Sequence, residues 1–195
     1  MKQLFLSVIG LLSLKANAGT EIIQHQFKTE ITTDIYVRTG AGEHSCGGTA
    51  SISAFYYGFD EYIDAVIFGR GGPVAETWVI DSDKNNNPEV FVWVRSCGSG
   101  GLGAIHAYEL LTYDDENIRR SRRKIKWVEV QIPPVPPAFL ERHRGHDTFD
   151  VLPDGLIRTF PQYNASDSNA APTKEPLTIK YLFKDKKWVI SETVQ

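Results

Sequence analysis

Val90-Phe91-Val92-Trp93-Val94-Arg95-Ser96-Cys97-Gly98-Ser99-Gly100-Gly101-Leu102-Gly103 is the stretch on which the fold turns. Its first five residues, Val90 to Val94, are β-branched or aromatic at every position, which suits a strand. It runs straight into a glycine-dense loop, where the backbone can turn tightly or approach a neighbour closely. The same rhythm recurs outward from it. Ile31, Thr33, Ile35 and Val37 alternate with polar residues, as a half-buried strand does. Further β-rich runs lie at 51–57, 63–69, 77–80, 89–96 and 124–132. Leu177, Ile179, Tyr181 and Phe183 alternate clearly, and 187–191 follows across a short Lys/Asp turn, which predicts a hairpin. Turn residues punctuate the rest at 85–88, 114–117 and 153–155. A long amphipathic helix is missing. The best helical candidate is the short stretch 138–143, after Pro133-Pro134-Val135-Pro136-Pro137, itself a stiff extended connection across the surface. The segment 162–176 reads as a polar, mobile loop. Many short strands with frequent turns predict an all-β, antiparallel, β-sandwich-like single domain with short helical connections.

The N-terminus reads as an address. Lys2 precedes a short apolar stretch from Leu4 to Leu14, and Ala16-Asn17-Ala18 supplies the small-x-small pattern of signal-peptide cleavage. The stretch is shorter than the roughly 20 residues of a membrane span. The expected organisation is therefore a signal peptide at 1–18 and one domain at 19–195, exported, with no membrane insertion. The whole chain carries 21 Lys+Arg against 24 Asp+Glu, a net charge of −3, and cleavage removes Lys2 and Lys15 but no acid. That balance excludes general nucleic-acid binding, which needs a net basic face. The basic run 119–126 reads as a solvated strand edge, since Lys and Arg protect exposed strands from pairing. Pairing of two copies through an edge strand, a homodimer, remains open.

Cys46 and Cys97 form an even count in an oxidising compartment, which favours one disulfide; the alternative is two buried free thiols. Gly98, Gly100 and Gly103 satisfy G-x-G-x-x-G after a strand, but dinucleotide binding needs alternating strands and helices that the surroundings lack. A nucleophile elbow would need glycine where Cys97 stands. What remains is a rigid small-side-chain protrusion with Ser99 offering a hydroxyl, or simply a tight turn between strands. Asp81, Asp83, Asn85 and Glu89 place oxygen atoms at alternate positions, as a calcium loop does, although Asn86 replaces the turn glycine and Val92 the final glutamate. His143 and His146 lack the helix that would aim them at a metal, and His25, His44 and His106 share no spacing with them. All five read as locally packed. No carboxylate pair suits glycosidase chemistry, so the chain is expected not to be an enzyme and to need no cofactor, calcium excepted.

The stretch 81–103 resembles the core of the periplasmic inhibitors of invertebrate-type (i-type) lysozyme. So do 145–149, 156–163, 167–172 and the hairpin 179–188, in the right order over about 60 to 195. The resemblance implies a β-sandwich-like fold, a periplasmic location and tight binding to an i-type lysozyme. In that family a Ser-Gly-x-Tyr loop enters the enzyme's cleft. The matching positions are Ser99, Gly100, Gly101 and Leu102, so the serine and glycine carry over and the tyrosine does not. Arg95 and Tyr108, on the strands beside the loop, are the expected flanking contacts. Two other classes compete: a calcium-binding envelope or adhesion module, and, more weakly, an exported hydrolase.

Overall fold

The computed structural model describes residues 12–15, 21–28, 32–56, 61–114, 123–185 and 187–194. The expected leader apart from 12–15, Ile31, and residues 119–122 of the basic run lie outside them.

Three antiparallel meanders follow one another along the chain. The first sheet contains β1 (Leu12–Lys15), β2 (Glu21–Lys28), β3 (Thr32–Thr39), β4 (Gly48–Tyr56) and β5 (Glu61–Arg70) in that spatial order. The second contains β6 (Val74–Ile80), β7 (Glu89–Arg95), β8 (Gly103–Asp114) and β9 (Arg123–Glu129). The third contains β10 (Thr148–Leu152), β11 (Gly155–Gln162), β12 (Lys174–Lys184) and β13 (Lys187–Val194). The all-β, antiparallel expectation holds, and the C-terminal hairpin is the β12–β13 pair, with Lys184 opposite Lys187. β9, which begins inside the basic run, is an edge strand.

The sheets stack in three layers rather than two, and β7 shows why. Val90, Val92 and Val94 point to a core shared with Ile35, Val37, Ile52 and Phe68 of the first sheet. Phe91 and Trp93, on the opposite face, meet Phe149, Leu156, Leu177, Tyr181 and Trp188 of the third. Successive side chains of a strand point to opposite faces, so a strand apolar at every position must be covered on both. β8 obeys the same rule, with Tyr108 and Leu110 toward the first sheet and Ile105 and Ala107 toward the third.

The proline connection carries one buried residue, Val135, which enters the second core. It therefore runs along the seam between the second and third sheets rather than over open surface. The helix that follows, α1 (Pro137–Leu140), is a single turn. Within 163–173 the chain is held by its own hydrogen bonds. The Asp167 carboxylate accepts from the Asn164 and Thr173 N–H groups at 2.7 and 3.0 Å, so this polar segment is tied to itself at both ends.

Candidate functional site: a braced loop between the second and third sheets

The β7–β8 turn is closed by two backbone bonds, Ser96 N–H to Leu102 O at 2.9 Å and Gly101 N–H to Gly98 O at 2.8 Å. Cys97, Gly98, Ser99 and Leu102 are exposed, Leu102 at 54%. Gly101 is buried, with a left-handed φ of 51° that glycine adopts without strain. The turn is thus a rigid projection with one open side and one seated side. Its base is tied to the first sheet by the Cys46–Cys97 disulfide, Cα–Cα 5.5 Å, so the thiols are not free. The far anchor is itself rigid. Arg70 donates to the carbonyls of Ser45, Gly72 and His44 at 2.7, 3.0 and 3.2 Å and pairs with Glu43 at 3.5 Å.

The seated side rests on the segment before β10. The His146 N–H donates to Gly100 O at 2.6 Å. A Cβ on Gly100 would stand 2.7 Å from the Arg144 carbonyl, so only glycine fits. Three residues further, the Gly103 N–H donates to the Asp147 carboxylate at 3.2 Å. Asp147 has no exposed side-chain surface and also takes His143 Nε2 at 2.8 Å and Arg158 Nε at 2.7 Å. Burial alone would raise its carboxyl, but the His143 bond and the Arg158 guanidinium together hold it below the ordinary range. Asp147 therefore links β8, β11 and the His143 turn through one buried charge.

Among the expected flanking residues, Arg95 is exposed and lies beside Gly101 at the loop base. Tyr108 is not there. The loop-closing pair is Arg95 with Gly103, whereas Tyr108 pairs with Val90, five residues down the strand. At about 3.4 Å per residue that is roughly 17 Å away. Its ring stacks on Phe68 instead, at 5.9 Å. The histidines pack locally: His25 bonds Thr77, His106 stacks on Phe68, and His44 Nδ1 accepts the Cys46 N–H.

At the opposite end of β7 lies an acidic cluster. Oxygen atoms of Asp83, Glu89 and Glu109 fall within 4.8 Å of one another. Glu109 escaped notice in sequence because only the β7–β8 register sets it opposite Glu89. Asn85 does not act as an oxygen donor to this group. Its Nδ2 donates to Asp83 and Glu109, and its Oδ1 accepts the Asn87 N–H. Asp81 accepts the N–H groups of Asn85 and Asn86, closing the turn. Glu89 is 1% exposed. Burial pushes its carboxyl up to about 7, against the pull of the Ser82 N–H at 2.8 Å and with help from Asp83 and Glu109.

A carboxyl raised in the folded state stabilises the fold fully below its unfolded pKa, and that contribution is lost as pH rises through the folded one. Glu89 should therefore make the protein less stable between pH ~4.5 and ~7, by at most about 3 kcal/mol. Urea unfolding across that window should show the decline in the parent protein, and Glu89→Gln should flatten it.

The family described as "Periplasmic lysozyme inhibitor of I-type lysozyme" matches residues 30–126. The chain belongs to that family. The matched segment contains Cys46, Cys97, the braced loop and the acidic cluster, and it ends before the third sheet begins. The resemblance read from the sequence ran further toward the C-terminus than this match does. No curated protein gives a match. Two solved structures are similar. One is Aeromonas hydrophila PliI in complex with Meretrix lusoria lysozyme, 26% identical over 39% of this chain and 66% of that one, with a TM-score of 0.37. The other is Aeromonas PliI-Ah, 22% identical over 58% of this chain and 93% of that one, with a TM-score of 0.39. The chain thus spans just under two thirds of the first of these. Among the described residues, no helix is long and apolar enough to cross a membrane.

Proposed function

We propose that this chain is a periplasmic inhibitor that seats its Ser99 loop in the active-site cleft of an i-type lysozyme. The supporting observation is that the family match spans a loop which is exposed at Ser99 and Leu102 yet braced at both ends. A lysozyme works with two carboxyl groups in a cleft, one of them protonated to act as acid. The Ser99 hydroxyl and the turn's backbone N–H groups offer hydrogen bonds to those carboxyls while the loop fills the sugar sites. Arg95 stands at the loop base as an anchor of a type favoured at interfaces. A braced loop has little freedom to lose, which lowers the ordering cost of binding. Leu102 sets an aliphatic contact where the family motif carries tyrosine, a departure that bears on either the target or the strength of inhibition. The protein acts by occlusion, without turnover, after export and cleavage near Ala18.

The test is a titration of i-type lysozyme with the chain from residue 19 onward. Activity should fall to background near equimolar inhibitor. Ser99→Trp, placed at an exposed position, should weaken inhibition by about tenfold or more without changing the unfolding midpoint. Absence of suppression across i-, c- and g-type enzymes would remove the reading.

The second reading, a calcium-steadied envelope or adhesion module, is favoured by the convergence of Asp83, Glu89 and Glu109. In that case calcium binding would require Glu89 to ionise. Calcium would then raise the thermal midpoint at pH 8, where the carboxylate is available, and much less at pH 5. An unchanged midpoint with calcium and with chelator removes it.

A further inference from the structure

We propose that the turn at 139–146, supplied by the chain beyond the matched family segment, forms the second half of the lysozyme-binding surface. This inference rests on the inhibitor reading above and adds a specificity-determining patch to it.

The two turns form one body. The Gly100 carbonyl accepts from His146, and Gly145, at φ 104°, presents its bare Cα to that same carbonyl, where a Cβ would collide. Arg144 locks a third segment behind them. Its guanidinium donates to Asp167 O at 2.6 Å and Asn164 O at 3.1 Å and lies 5.1 Å from the Tyr163 ring centre. A partner whose cleft admits Ser99 therefore meets 139–146 as the adjoining wall, at a distance fixed by the His146–Gly100 backbone bond and the close approach of Gly145 to Gly100.

The chemistry displayed there suits such a partner. Among the described residues only four large apolar side chains are exposed, and Leu102 and Leu140 are two of them. They belong to these two turns. Arg95 and Arg142 are exposed on the same pair of segments, with the exposed Glu141 as the one acid between Leu140 and Arg142. Apolar anchors beside arginines fit an enzyme surface whose cleft holds carboxyl groups. The proposed occupant is thus the wall of the lysozyme cleft beside those carboxyl groups. This wall lies outside the matched segment, which stops at residue 126.

The experiment measures affinity for an i-type lysozyme by calorimetry, with Leu140→Asp and Arg142→Glu as separate variants. Both positions are exposed, so the fold should be retained. Lys187→Glu serves as the charge control, because the β12–β13 turn lies at the far end of the third sheet. Each of the two variants should weaken binding by about tenfold, and the control by less than about twofold. Hydrogen exchange in the parent complex should slow at 98–102 and at 139–146 together, a readout independent of any variant. If the parent binds and Ser99→Trp disrupts it, while both turn variants bind like the parent and 139–146 exchanges unchanged, this inference falls alone. If the parent binds no i-type lysozyme, the inhibitor reading falls and takes this inference with it.

Discussion

Asp147→Ala is expected to lower the unfolding free energy by about 3–5 kcal/mol, the range for removing one partner from a buried ion pair. The loss comes less from the missing bond than from what stays behind. Arg158 would keep its guanidinium between the Phe149 and Phe160 rings, 5.4 and 5.8 Å from their centres, with no counter-charge. His143 and the Gly103 N–H would lose their acceptor as well. A domain of this size loses roughly 2–4 °C per kcal/mol, so the melting temperature should fall by about 10 °C. The pH signature follows from the depressed carboxyl. Its contribution is present above the ordinary aspartate pKa and is lost as pH falls through the lower folded value. The parent should therefore weaken in acid below about pH 4, and the variant should lack that component. Asp147→Asn separates the parts, since it keeps the volume and removes the charge. A variant as stable as the parent would mean that Arg158 finds water or another acceptor, and Asp147 would then not be the tie between the sheets.

Why the third layer was not legible in the sequence follows from the same region. The uninterrupted apolar run from Val90 to Val94 was enough to mark a strand, and its lack of alternation already implied cover on two faces. A two-sheet sandwich offers only one. What would have named the second cover, the meander from 148 to 194, was visible only as its last hairpin and one turn. β8 escaped because residues 104–111 tolerate a helical reading in isolation, whereas pairing with β7 on one side and β9 on the other decides for strand. β2 escaped because Glu21–Lys28 lacks clean alternation and only Ile23 in it is buried. The site divided along the same line. The glycine turn and the disulfide are local or compositional signals, and both could be read. Glu109 beside Glu89, and Asp147 beneath Gly103, depend on register and layer contacts, which no spacing in the chain encodes. Tyr108 failed for the same reason, since closeness along a strand to a loop is measured in rises of about 3.4 Å.

Replacing both Cys46 and Cys97 with serine should cost about 4 kcal/mol, nearly all of it through the unfolded state. The bridge spans 51 residues, and releasing a loop of that length restores chain entropy worth roughly this amount. Reduction of the parent protein should reproduce the loss, and the serine variant should be indifferent to reductant. The functional consequence separates two roles for the bridge. The native turn keeps its own closure, Ser96 N–H to Leu102 O and Gly101 N–H to Gly98 O, together with its seat on His146. Only the tether to the Arg70-held segment disappears. If bracing from the first sheet is what holds the loop ready for a cleft, the folded serine variant should bind i-type lysozyme several-fold more weakly at a temperature well below its midpoint, mainly through faster dissociation. If the seat on the third sheet suffices, affinity will match the parent while stability alone drops. The rigidity that the inhibitor reading requires would then be supplied by the layer that lies outside the family match.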